Sequence, residues 1–348
     1  MKTIKTLSVL LLIIIGLFAQ AAKYRVNNNP SASAHFATLQ AAHNAAASGD
    51  TLYIEGSPVL YAGITFTKKL IIIGPGFFIG NNPMTQAHTQ NALIGPSTFD
   101  AGSDGSVVMG VYFFDDGTPN TCLTINASNI TLKRNRFYKN YNSTADNIHA
   151  IKVNANNIII TQCFIEQYGY PYYAIRLYNN SINALISNNY IRGSDAYSTS
   201  RGLYMSTTSS AEVLNNVFYN NVEIHNANIY NNIIMQGSLT YSNSALYNNI
   251  GNSNQFPLIN NNQQSVNMND IFNLADLSPD GKYRLKAGVG NPARATGYDG
   301  TDIGMFGGPS PYVLSGIPDL PAVYYFSAPS SGSSTSGLPA SVKIKSNR

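Results

Sequence analysis

The sequence predicts an all-β fold, a right-handed parallel β-helix with an N-terminal capping helix and a C-terminal strand cap. Three observations lead there. A motif centred on Asn or Cys recurs six times, at positions 135, 163, 189, 216, 232 and 249, with spacings of 28, 26, 27, 16 and 17 residues. A second short apolar strand lies upstream of most copies. Finally, charged residues make up only 11% of 348 residues while 44% are hydrophobic, so 43 Asn residues supply the polarity. Asn and Tyr are mediocre helix formers, and helical surfaces normally carry Glu and Lys, so this composition favours strands joined by tight turns.

Taken in chain order, Lys2 and Lys5 precede the apolar run Leu7 to Phe18, which ends in Ala19-Gln20-Ala21. That layout predicts a secretory signal peptide over residues 1–21 and a secreted or cell-surface protein. The run is too short for a membrane span, and no later segment is long and apolar enough for one. Without Lys2 and Lys5 the balance is 19 basic against 17 acidic residues, which excludes the basic stripe of a nucleic-acid binder. Cys122 and Cys163 lack C-x-x-C spacing, so buried free thiols are expected rather than a metal site, although His149 lies nearby.

Residues 22–50 are expected to form the N-terminal cap. Phe36 to Ala47 has Phe36, Leu39 and Ala42 on one face, and Ser48-Gly49-Asp50 ends this helix ahead of a strand at Thr51–Ile54. Residues 51–308 are expected to form the coil. Each motif copy, such as Ile130-Thr-Leu-Lys-Arg-Asn135-Arg-Phe137, reads as a strand, a bend at the marker residue and a second strand. Asn suits a left-handed bend, and stacked Asn amides predict an Asn ladder. The third strand is supplied by Leu123–Ile125, Ile151–Val153, Ile175–Leu177, Leu203–Met205 and Val222–Ile224. Three parallel strands per turn, each turn buried on its neighbours, define the solenoid. Residues 309–348 are expected to be a tail or cap, with strands at Val323–Phe326 and Ser341–Lys345 around a Ser/Gly-rich stretch. Capped ends remove open strand edges, so a monomer is expected.

Outward positions of the upstream strands are Thr124, Lys152, Arg176, Tyr204, Glu223 and Thr240. With coils about 4.8 Å apart they form one column. Asn126, Asn154, Tyr178, Ser206, His225 and Ser242 form a second beside it. In so uncharged a chain, Lys152, Arg176, Tyr178, Tyr204, Glu223 and His225 together suggest a groove. Tyr168, Tyr170, Tyr172 and Tyr173 add aromatic faces that suit sugar rings, and Asp146, Asp195 and Arg201 are expected in flanking loops. The bland alternative is a solvated strand face with ordinary cross-strand pairs.

The run Leu39-Gln-Ala-Ala-His43 with Ser48-Gly-Asp-Thr-Leu-Tyr-Ile54 resembles the opening of pectate-lyase-like right-handed β-helix proteins. Lys69-Leu-Ile-Ile-Ile-Gly-Pro-Gly-Phe-Phe78 and Asp302-Ile-Gly-Met-Phe-Gly-Gly308 resemble secreted β-helix proteins of Bacteroidota-type bacteria with no assigned function. The superfamily holds lyases, hydrolases, epimerases and adhesins, so the resemblance implies the fold more than an activity. Its polysaccharide lyases imply Lys152 or Arg176 as the base beside a uronate carboxylate, Arg176 as carboxylate clamp, and Tyr204 or His225 as proton donor. No Asp cluster offers a Ca2+ site and Glu223 has no acidic partner for hydrolysis, so no cofactor is expected. Three functions follow: a glycan-binding protein using Tyr178, Glu223, His225 and Asn154, a lyase for an acidic glycan catalysed through Lys152, Arg176 and Tyr204, or a structural adhesin. The expected partner is a polysaccharide or cell-surface glycan.

Overall fold

The computed structural model describes residues 21–142, 148–169, 173–195, 198–335 and 337–346. The expected signal peptide, apart from Ala21, lies outside them. The chain is a right-handed parallel β-helix: three stacked parallel sheets, of ten, eight and eight strands among the described residues, wind around one apolar core. The first sheet runs from Lys23–Val26 to Ala245–Tyr247, the second from Leu93–Ile94 to Ile250–Gly251, and the third from Thr65–Phe66 to Leu239–Ser242. Period-two alternation produces this: Leu123, Ile125, Ile151, Val153, Ile175 and Leu177 all point inward and are fully buried. Aromatic rings stack between coils, Phe66 on Phe99 at 4.7 Å and Phe113 on Phe137 at 5.0 Å.

The bends follow a two-residue rule that corrects one expectation. The left-handed residue is the one before each marker: Arg134, Gln162, Asn188, Asn215, Asn231 and Asn248 all have φ between 53° and 56°. The markers themselves turn inward and are buried. There they bond from coil to coil: the Asn189 amide donates to Asn216 Oδ1 at 3.0 Å, Asn216 to Asn232 Oδ1 at 3.0 Å, and Asn232 to Asn249 Oδ1 at 3.0 Å. Cys122 and Cys163 are buried free thiols. Burial raises both thiols well above the ordinary range, Cys163 to about 12.

The helix spans Leu39–Ala45, shorter than the expected 36–47. Thr38 caps it by accepting from the Ala41 amide at 3.1 Å, and Phe36 is held outside by a bridge to Val26. Leu39 and Ala42 close the core of the first coil, while the Lys68 ammonium bonds the carbonyls of His43 and Ala46, both at 2.8 Å, near its C-terminus. Lys23–Val26 pairs with Thr51–Ile54, so the coil begins inside the segment expected to be cap.

The last coil strand is Ile250–Gly251, and the Asn file continues one step beyond it, where Asn249 donates to Asn262 Oδ1 at 2.9 Å and Ile250 bridges Gln263. Beyond it the chain turns back as a strap. Met268, Ile271, Phe272, Tyr283, Ile303, Met305 and Tyr312 cover the outer face of the second sheet, against Phe164, Tyr190, Val217 and Ile233. The left-handed bend residues hold this strap in reverse order. Asn248 donates to Thr296 O, Asn215 to Asp302 O, Asn188 to Met305 O and Gly307 O, Gln162 to Pro311 O, and Arg134 to Ile317 O. A buried carboxylate, Asp280, pins the strap's far end. It accepts from Asn82 Nδ2 (2.8 Å), Ser278 Oγ (2.7 Å), Tyr312 Oη (3.1 Å) and the Ser315 amide (2.7 Å). An antiparallel hairpin, Ala322–Ser327 with Ser341–Lys345, follows.

Candidate functional site

With the strap on the second sheet, the third sheet presents the expected column. Cα partners run Thr124, Lys152, Arg176, Tyr204, Glu223, Thr240 in unbroken register. All but the exposed Thr240 are half-buried, with inward neighbours fully enclosed.

The side chains form a stack of cations and phenol rings. Tyr178 follows its strand, and its ring lies under both the Lys152 ammonium, at 4.7 Å, and the Arg176 guanidinium, at 4.2 Å. Arg176 also lies 5.4 Å from the rings of Tyr173 and Tyr204, which stack on each other at 4.7 Å. Such contacts are worth more as they are removed from water. Arg201 adds a third cation, 5.9 Å from Tyr173 and ion-paired to Glu223 at 2.7 Å. Burial raises the Tyr173 hydroxyl above the ordinary phenol value, against the pull of Arg201 and Arg176.

The sequence pointed to His149 only as a neighbour of the cysteines, yet it stands behind this stack. It is buried, stacks on Tyr173 at 5.5 Å and lies 3.4 Å from the Tyr178 hydroxyl through Nε2. Burial, with Arg176 and Lys152 adding repulsion, pulls its pKa down to about 3, so the imidazole is neutral. The unfolded chain therefore binds a proton here, between pH 6.5 and 3, that the folded chain does not. Stability from this group is complete above pH 6.5 and is lost as pH falls toward 3. Taking the protein from pH 7 to 5 is expected to cost about 2 kcal/mol from His149 alone. Thermal unfolding of His149→Gln should show a correspondingly flatter pH dependence.

The other expected site residues are held in different ways. His225 is buried, with Nδ1 2.7 Å from Ser242 Oγ and Nε2 3.4 Å from Glu223, so it supports Glu223 rather than fronting the surface. Asn154 is exposed and donates to Asn126 Oδ1 at 2.8 Å. Arg201 opens the strand Arg201–Met205 instead of lying in a loop. Asp195 accepts from Asn220 Nδ2 at 2.6 Å and pairs with Arg192, which extends from the second sheet. Tyr168 also belongs to the second sheet, where its hydroxyl bonds Glu166 at 2.9 Å. Tyr170, Tyr172 and Asp146 fall outside the described residues. Two cavities of about 980 Å³ lie on the first sheet, one beside Arg25, Tyr53 and Ile73 and one beside Glu212 and Asn228, so neither contains the column. Among the described residues no three His, Cys, Asp or Glu side chains are grouped to hold a metal ion, and no helix is long and apolar enough to cross a membrane.

No family model matches the chain, and no curated protein matches it in sequence. Among solved structures it is similar to the pectin methylesterase from Aspergillus niger in deglycosylated form, with 13% identity and a TM-score of 0.40, covering 78% of this chain and 92% of that one. A penultimately deglycosylated form of the same enzyme gives 13% identity, the same coverage and a TM-score of 0.39. A pectin methylesterase in complex with hexasaccharide VII gives 14% identity, 69% coverage of both chains and a TM-score of 0.26.

Proposed function

We propose that the outer face of the third sheet binds an acidic polysaccharide outside the cell, as a secreted or surface-held protein. One observation carries this reading: Lys152 and Arg176 sit side by side in register over Tyr178, next to the stacked Tyr173 and Tyr204. Cations at coil spacing suit the repeating carboxylates of an acidic glycan, and phenol rings offer C–H contacts and hydroxyls to the sugars between them. Glu223 is paired with Arg201, so the net charge of the face stays positive. Binding to acidic polysaccharides is expected to weaken about tenfold in Lys152→Ala and in Arg176→Ala, as each removes one charge-assisted contact. Neutral polysaccharides should respond to neither change. Absence of binding to any glycan array member at millimolar ligand would defeat the reading.

One contact favours β-elimination as a second reading. The neutral His149 imidazole meets the Tyr178 hydroxyl at 3.4 Å, with two cations above the ring, which is a setting for proton transfer beside a bound carboxylate. The same incubations followed in the ultraviolet decide it, since elimination leaves an unsaturated, absorbing sugar. Flat traces on every bound acidic glycan would leave binding alone.

A further inference from the structure

The first coil holds a buried carboxylate that lacks a counter-charge. Asp50 is only 5% exposed. It sits where the turn after the capping helix meets the first strand pair, and its backbone joins both: the Asp50 amide donates to Ala47 O at 3.2 Å, and the Ile71 amide donates to Asp50 O at 3.0 Å. Its carboxylate accepts two backbone amides, that of Ala47 at Oδ2 and that of Ala22 at Oδ1, both at 2.7 Å. Among the described residues no Lys, Arg or His forms an ion pair with it. Lys68, which also reaches the end of the capping helix, spends its ammonium on the carbonyls of His43, Asn44 and Ala46. A buried charge without a partner is costly, and two neutral donors offset only part of that cost.

Ala22 is the residue that the expected leader of residues 1–21 would leave at the new chain start, because Ala19-Gln20-Ala21 has the small residues of a secretory cleavage site. Its place is fixed from both sides, its nitrogen by Asp50 and its carbonyl by the Thr51 amide at 2.9 Å, one residue ahead of the strand Lys23–Val26. We propose that maturation supplies the missing counter-charge to Asp50. Hydrolysis of the Ala21–Ala22 bond adds one water, leaving a carboxylate on Ala21 and an ammonium on Ala22, and this ammonium pairs with Asp50 Oδ1 where the amide stood. A neutral hydrogen bond thereby becomes a charge-assisted one. Ala22 is half-buried, so the other ammonium hydrogens need no protein acceptor. The pair clamps Lys23–Val26 onto Thr51–Ile54, so the first coil is complete only in the processed chain. Neither group belongs to the third-sheet face.

Export of the full chain, followed by sequencing of the secreted product, is expected to give Ala22 as its first residue. Purified protein starting at Ala22 should melt about 3 °C above a form that retains Ala19-Gln20-Ala21, since it gains one charge-assisted hydrogen bond. Asp50→Asn should erase that difference, because it keeps an acceptor and removes the charge. Acylation at neutral pH, read by mass spectrometry of the N-terminal peptide, needs no variant at Asp50. Only the unprotonated amine reacts, so the paired Ala22 amine should be labelled about tenfold more slowly than the Ala19 amine of the longer form. Four results would overturn the proposal: a secreted chain that starts elsewhere, equal melting of the two forms, a melting difference of the same size in Asp50→Asn, or equal labelling of the two amines.

Discussion

Asn216→Ala is expected to destabilise the protein by about 3 kcal/mol and lower its melting temperature by roughly 4 °C. The residue is fully buried. Its side-chain nitrogen donates to Ile186 O at 2.8 Å, Leu214 O at 3.0 Å and Asn232 Oδ1 at 3.0 Å. Its oxygen accepts from both the amide and the side chain of Asn189, at 3.1 and 3.0 Å. Truncation leaves all these partners in an interior that water does not reach, and an orphaned buried polar group costs more than its bond contributes. Cys163 interrupts the same file: its amide donates to Asn189 Oδ1 at 2.8 Å, while its thiol, a weak donor, bonds Thr161 O at 3.2 Å and meets Leu132 O at 3.6 Å. Cys163→Asn should therefore keep or raise the melting temperature. A similar loss in both variants would contradict this account.

A comparable effect, about 4 kcal/mol, is expected for Asp280→Ala. This carboxylate is completely buried and receives four hydrogen bonds, and no ion pair to it occurs among the described residues. Burial and Asp280 itself hold the Tyr312 hydroxyl well above the ordinary phenol value, which keeps it a neutral donor. Removing the acceptor strands donors on three separate segments, so the strap should loosen before the coil does. Limited proteolysis near Ser315, compared with chemical unfolding followed by circular dichroism, separates the two. Asp280→Asn retains one acceptor oxygen and should fall between Ala and the parent protein.

The third-sheet column was legible because strand alternation has a period of two, so apolar flanks around Lys152, Arg176, Tyr204 and Glu223 define both face and register. The bends were legible only to within one residue. Asn188-Asn189, Asn215-Asn216, Asn231-Asn232 and Asn248-Asn249 put the same residue type at the left-handed and inward positions, and only geometry separates them. Arg134 and Gln162 hold the left-handed place without being Asn, because each side chain is bonded to the returning strap. That strap was invisible in the sequence for a related reason: its partners are backbone carbonyls, which carry no residue code. His149 was weighed only beside the cysteines because it lies outside the alternating strands, and Arg201 was placed in a loop because Gly202 obscures the start of its strand.

A coiled array of repeats normally senses only its neighbours, so it can fray from an end and gain order turn by turn. The strap changes that connectivity. Arg134 meets Ile317 across 183 residues and Lys133 pairs with Asp319 across 186, so a late part of the chain is fastened to early turns. During synthesis the turns can stack as they emerge, yet the clasp closes only after residue 319 has left the ribosome. Once closed, it couples coils that share no direct contact. Loss of one turn then strains the strap, so melting is expected to be more cooperative than in an unclasped solenoid, which would unravel gradually.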